Sequence, residues 1–346
     1  MWVYLAIVVA FCVVYPIIPR KYIKWLFLAL VLALSIMAFY VKPLKTDDLI
    51  RYYNSLNLLR EKSLAGYFDL QRDGYGNFDA VPVCGLYFFF VSKLGNNNFL
   101  PAITIFLTYG SMLFVIWRFA NYYKISKLYI FIGTLFLLST YWYYDTCSGI
   151  RNGLAFAVAM FCLYFDLVEK KKAFWLGYFV AMGIHSAAVI FLGLRLLTEI
   201  NMRLRLKFLN AISLVGILFG SYIMCIYMNY LINRDNIENI ESINYFFILL
   251  MFFSVGSISS YLIFTRFMHW VVPMFGALII MLCLDLNKKR RQETYFAPHG
   301  KSTIKRDVSV YSSNEIILNL MIIVLSLSDL FFLCFVSVMH SAEFGI

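Results

Sequence analysis

Mainly apolar stretches, each close to the length a helix needs to cross a bilayer, recur along the whole chain: 2–18, 25–41, 99–117, 128–144, 153–168, 173–194, 208–232, 245–265, 269–286 and 315–339. About 20 such residues span the hydrocarbon, and roughly 17 to 25 are tolerated. Hydrocarbon offers no water to satisfy backbone N–H and C=O groups, so only helices or a closed barrel can cross it. The runs are continuous and lack the ten-residue alternation of barrel strands, which selects helices. A further run, 80–94, is short and carries Pro82. The reading is an all-α polytopic membrane protein, 1–346 as one integral domain with about 10–11 transmembrane helices. Composition agrees: 62% of the residues are hydrophobic and only 14% charged, against roughly 45–50% and 25% in soluble domains. The first run lacks a basic leader region and a small-residue cleavage site, so it is expected to stay as a membrane helix.

The net charge of +11 does not call for nucleic acid, because Lys and Arg fall in short clusters between the apolar runs. Such clusters report topology, since cytoplasmic loops are enriched in them. Arg20, Lys21 and Lys24, then Lys170 to Lys172, then Lys288 to Arg291 with Lys301, Lys305 and Arg306 are the strongest groups. Placing all three inside requires one marked run not to cross, and treating 80–94 as a re-entrant segment satisfies this and puts Arg118, Lys124 and Lys127 inside as well. The 42–79 stretch is then an external loop with an amphipathic helix, and 287–314 is a cytoplasmic loop. Arg195, Arg203, Arg205 and Lys207 come out external, against the rule. The seven cysteines lie mostly inside apolar runs without a CxxC pair, so neither a disulfide framework nor a metal site is implied.

Four places carry chemistry against this background. In "KTDDLIRYYNSL", Asp48 and Tyr52 are spaced i, i+4 on one helical face, with Asp47 and Arg51 as the neighbouring i, i+4 pair; a solvated interfacial helix with headgroup tyrosines accounts for the same pattern. In "DTCSGIRNGLAFAVAM", Arg151 stands at the entrance to an apolar helix, beside a small-residue stripe of Gly149, Gly153 and Ala157 that admits a close neighbour. A snorkelling interfacial arginine is the alternative. In "YFVAMGIHSAAVIF", His185 sits inside an apolar run with Tyr178 seven residues earlier and Gly183 and Ala187 thinning the helix. It either bonds across helices or serves a site, since ionisable groups in membrane helices are costly. In "SISSYLIFTRFMHWVVPM", Arg266 and His269 are spaced i, i+3. All four groups fall on the external side. Two arginines, a histidine and an aspartate suit a phosphate-bearing lipid: arginine forks bind phosphate bidentately, and histidine or aspartate can act as general base.

The order of "TDDLIRYY" after the second span, "RNGLA" opening a helix, "IHSAA" in the next and "TRF" later resembles the EpsG family of Wzy-like polymerases of bacterial exopolysaccharide, capsule and O-antigen synthesis, over about residues 40–290. The resemblance implies a GT-C-type glycosyltransferase bundle in the bacterial cytoplasmic membrane. There it would join undecaprenyl-diphosphate-linked oligosaccharide repeat units at the outer face without metal or cofactor, with a flippase and a chain-length regulator of the same pathway as partners. Carried over by position, Asp48, Arg151, His185 and Arg266 are the matching residues, Arg151 and Arg266 toward the diphosphate and His185 or Asp48 toward the proton. Tyr52, Asp47, Arg51, Tyr178 and His269 are supporting. The family's glycine before Thr-Asp is replaced by Lys45, which leaves Asp47 and Asp48 both open as the matching acid, with the spacing to Tyr52 favouring Asp48. A membrane O-acyltransferase and a lipid-linked oligosaccharide flippase are the competing readings, the latter requiring a continuous polar path and often internal repeats that the sequence does not display.

Overall fold

The computed structural model describes residues 2–43, 47–74, 80–189, 191–193 and 195–196, with short stretches between 273 and 285. Every regular element among them is helical: α1 (Trp2–Val14), α2 (Ile23–Phe39), α3 (Asp48–Arg60), α4 (Leu64–Arg72), α5 (Pro82–Ser92), α6 (Phe99–Tyr122), α7 (Lys127–Thr140), α8 (Tyr143–Ser148), α9 (Ile150–Leu167) and α10 (Trp175–Ile184), with short 3-10 turns between. Arg20–Phe39, Phe99–Tyr122 and Ile150–Leu167 are long and apolar enough to cross a membrane, and α1, α5, α7 and α10 are shorter apolar helices. This is the composition of a membrane protein. The expected runs 208–232, 245–265 and 315–339, most of 269–286, and the 287–314 loop lie outside the described residues.

By internal contacts the chain divides into two units, Met1–Ala33 with Leu113–Trp142 and Val272–Ile346, and Leu34–Met112 with Tyr143–Val271. In the first, α1 lies along α7. The Tyr4 hydroxyl donates to the Leu138 carbonyl near one end, and the Tyr15 hydroxyl donates to the Lys127 carbonyl at the other, 2.9 Å away. Lys127 Nζ donates to the Pro16 carbonyl at 2.7 Å, and Arg20 donates to the Ala120 carbonyl at 3.4 Å. The basic residues that follow α1 and precede α7 thus gather at one end, as the charge rule requires. Gly133 leaves room for Met281 and the Ala277 carbonyl to lie against α7.

In the second unit α9 and α10 are antiparallel. The Phe165 and Phe174 rings stack at 4.5 Å, and a Cβ at Gly177 would collide with Cys162. The bare glycine face is what permits this approach, in the manner of membrane helix pairs with small residues at the contact. A short helix, α5, sits at the centre: Phe88 meets the Tyr52 ring of α3 at 5.1 Å edge-on, its Pro82 carbonyl accepts from Tyr67 of α4 at 3.2 Å, and its Val83 fills the space left by Gly183 of α10. Beyond its end, Lys93 Nζ donates to the Leu59, Arg60 and Lys62 carbonyls at 3.0, 2.8 and 2.6 Å. The cation thereby satisfies the orphan carbonyls at the C-terminus of α3. Phe39 and Phe99 are in edge contact at 5.1 Å, so the chain leaves α2 and enters α6 at the same place.

Two expected helices are interrupted. The 128–144 run stops at Thr140, where Tyr141 takes up extended backbone (φ −87°, ψ 109°). The tyrosines beyond it are drawn to polar partners: the Tyr143 hydroxyl donates to the Leu34 carbonyl at 2.7 Å, and Tyr144 donates to the Asp47 carboxylate. The 173–194 run stops at Ile184, and His185 is extended (φ −152°, ψ 126°) before the 3-10 turn Ser186–Ala188. Past that turn the chain comes back. The Arg195 guanidinium lies over the Trp175 ring at 4.9 Å and pairs with Asp166. A straight helix would hold residues 175 and 195 about 30 Å apart at 1.5 Å per residue, beyond the combined reach of two side chains. The direction therefore reverses at His185.

Because Gly177 is in contact through its missing side chain, Gly177→Ala should separate α9 from α10 and sharply reduce monodisperse protein in detergent. Combining it with Cys162→Ala should restore most of the yield, measured by fluorescence-detected size exclusion.

Candidate functional site

The start of α9 and the start of α3 meet in the second unit. Gly149 holds the N-cap of α9 and accepts the Gly153 N–H at 3.1 Å, which sets Arg151 in the first turn. Arg151 Nε donates to the Tyr52 hydroxyl at 3.2 Å, and the guanidinium lies 5.7 Å from the centre of that ring. Tyr52 is buried because α3 turns it toward Phe88 of α5. Among the described residues the terminal nitrogens of Arg151 carry no hydrogen bond, and no carboxylate stands within ion-pair distance of them. The fork is held by its inner nitrogen and presents its outer ones.

The two aspartates are already engaged, and differently from the expected pairing. Asp48 forms the ion pair with Arg51 at i, i+3, in place of an Asp47–Arg51 pair at i, i+4. Asp47 stands at the N-cap of α3, so its side chain points off the helix and its carboxylate accepts the hydroxyl of Tyr144 from α8. The Asp48–Arg51 pair is exposed, with side chains 41% and 70% accessible, and a pair so placed contributes little to stability. Its importance is electrostatic position: the charge of Asp48 reaches Arg151, and the charges of Arg51 and Arg151 act on one another. The hydrogen bond from Arg51 to Asp48 holds the Arg51 guanidinium above its usual range. Burial pushes the Tyr52 phenol up to about 12, against the opposing pull of Arg151.

His185 stands at the break after α10, half-buried, with its N–H on the Ala181 carbonyl and its own carbonyl accepting from Ala188, both at 3.0 Å. Its helix and α3 both touch α5, whose Val83 lies against Gly183 while Phe88 lies against Tyr52. Tyr178 belongs elsewhere: its hydroxyl donates to Asp166 at 3.2 Å, at the opposite end of α9 from Arg151. Arg266 and His269 lie outside the described residues. Among the described residues no group of three His, Cys, Asp or Glu is placed to hold a metal ion.

Sequence reasoning missed three participants. Tyr144 and Asp166 lie inside apolar runs and are not singled out there, and Arg195 is read only as a basic residue on the external side, although an acid at the end of 153–168 and an arginine after 173–194 are a signal, since ionisable groups there need partners. Asn152 was counted only within "RNGLA", yet its buried Oδ1 has no hydrogen-bond partner among the described residues. Comparison with family models, with curated proteins and with solved structures found no match.

Tyr52→Phe should remove the acceptor that holds Arg151 and destabilise the protein by about 1.5–3 kcal/mol, the range for a hydrogen bond to a charged group. A phenol whose folded value is raised stabilises the fold fully below the unfolded value of 10.0 and loses that contribution as pH rises through about 12. The stability gap between wild type and Tyr52→Phe, followed by thermal unfolding in detergent, should be constant up to about pH 9 and shrink above pH 10.

Proposed function

We propose that the chain is a polysaccharide polymerase of the bacterial cytoplasmic membrane, joining undecaprenyl-diphosphate-linked oligosaccharide repeat units at the outer face. The observation that carries this reading is the outward fork of Arg151, anchored through Nε to Tyr52. A half-buried arginine whose terminal nitrogens carry no hydrogen bond among the described residues fits an anion that accepts two parallel hydrogen bonds, as a phosphate does. Its place at the first turn of α9 adds the partial positive charge of a helix N-terminus. Support for a re-entrant 80–94 segment comes from the eleven residues of α5, about 16 Å of helix against about 30 Å of hydrocarbon, and from the contact of Phe39 with Phe99.

In the reaction, the bond between the anomeric carbon of the donor sugar and its diphosphate oxygen breaks, and the electron pair leaves with the diphosphate. Arg151 stabilises the charge that develops there, with Arg266 as the second arginine by sequence resemblance. The acceptor hydroxyl oxygen bonds to the anomeric carbon, and its proton passes to His185 or Asp48. Arg51 holds Asp48 in orientation, and Tyr52 holds Arg151. The transition state is oxocarbenium-like, by analogy with glycoside chemistry.

Arg151→Ala and Arg151→Lys should each lower polymer formation by about 10²-fold or more at unchanged protein abundance, the scale for losing one stabilising donor of a developing charge. Lysine fails because a point charge does not reproduce a fork. The glycan decides between mechanisms: single lipid-linked repeat units accumulate if the chain polymerises, full-length polymer lacking acyl groups appears if it acylates, and units retained at the inner leaflet appear if it translocates. Full-length polymer from Arg151→Ala at normal abundance overturns the assignment.

A further inference from the structure

We infer that residues 173–196 form a re-entrant hairpin that enters and leaves the membrane on the same side, with His185 at its tip and a buried Asp166–Arg195 ion pair as its clasp. The first arm, α10, is ten residues long, about 15 Å of helix, which is half of the roughly 30 Å hydrocarbon. It runs antiparallel to α9 from the Phe165–Phe174 stack through Gly177 against Cys162 to the break at His185. The second arm is helical at residues 189, 191–193 and 195–196. It passes Phe156 of α9, which meets Phe191 at 5.7 Å, and reaches Asp166 near the C-terminus of α9 with Arg195. The order of contacts along α9, first 156 and then 166, matches the order 191 then 195, so this arm runs parallel to α9 and opposite to α10.

The clasp is built from several hydrogen bonds. Arg195 Nε and Nη2 both donate to the Asp166 carboxylate, the latter at 3.2 Å, in a bidentate fork. Tyr178 donates to the same carboxylate at 3.2 Å, and the Trp175 ring covers the guanidinium. Asp166 is 2% and Arg195 8% exposed. Two opposite charges this deep are maintained only when each holds the other, and removing one partner leaves an uncompensated buried ion. Read as a single crossing, 173–194 delivered Arg195, Arg203, Arg205 and Lys207 to the external side, against the distribution of basic residues. A hairpin returns the chain to the side of Lys170, Lys171 and Lys172 and brings Arg195, Arg203, Arg205 and Lys207 with them; each later run then crosses in the opposite sense, so the 287–314 loop and Arg266 keep their sides only where one more of those runs turns back. The inference rests on the contacts along α9, and neither the distribution of charge nor the reaction proposed above is needed for it.

The test uses the full chain in its native membrane. Lys172→Cys and Leu196→Cys, at two exposed positions, are introduced singly and treated with a membrane-impermeant maleimide in intact cells and in inverted vesicles, with the unmodified chain as background. Both should label in inverted vesicles and be protected in intact cells. Labelling of the two from opposite sides overturns the hairpin. In parallel, Asp166→Arg and Arg195→Asp should each reduce monodisperse protein by about tenfold or more, as breaking a buried pair does, and the double exchange should recover most of it. A double exchange no better than either single change overturns the clasp, whichever way the labelling falls.

Discussion

A guanidinium cannot be deprotonated at any relevant pH, so an arginine carried into a poorly hydrated bundle must be given acceptors by its neighbours. The second unit solves this twice, with opposite results. Arg195 is matched by a carboxylate, a phenol bonded to that carboxylate and an indole face. Arg151 is held by one neutral phenol through one nitrogen, while the nearest carboxylate it feels, Asp48, is committed to Arg51. The first arrangement closes a fold; the second leaves charge available. The same residue type at the two ends of α9 therefore has two different meanings, and only the partners distinguish them.

The helical architecture was legible because continuous apolar runs leave the backbone no alternative, and α2, α6 and α9 fall where hydropathy put them. The interruptions were not legible. "YWYY" and "IHSAA" read as apolar or neutral in a hydropathy window, yet the tyrosines leave the helix to reach the Leu34 carbonyl and Asp47, and His185 marks the point where the chain doubles back. Hydropathy measures the cost of transfer into lipid and is blind to direction. The reversal is encoded by a pair, Asp166 and Arg195, whose members lie in separate runs and whose spacing follows no local period.

The site was legible in part for the same reason. Residues on one helix turn could be grouped by spacing, and Asp48, Arg51 and Tyr52 do lie together, though the ion pair forms at i, i+3 and Asp47 is pulled away by Tyr144. At a helix start, the N-cap residue has extended backbone and projects out of the periodic pattern; Asp47 is that residue. An i, i+4 argument beginning at Asp47 therefore began one position before the helix did.

That displacement bears on which acid serves the site. Asp47 and Asp48 are adjacent in sequence but are oriented by different elements, α8 and α3 respectively. Tyr52, which anchors Arg151, is on the same helix as Asp48, and the charge of Asp48 reaches Arg151. Any shift of α3 along its axis moves Asp48, Arg51 and Tyr52 as one body and carries the anchor of Arg151 with them, whereas Asp47 would stretch its tie to α8. Lys93 resists such a shift by gripping the last carbonyls of α3. The acid that keeps register with the arginine fork is Asp48, and the helix that carries it is fixed from its far end by Lys93.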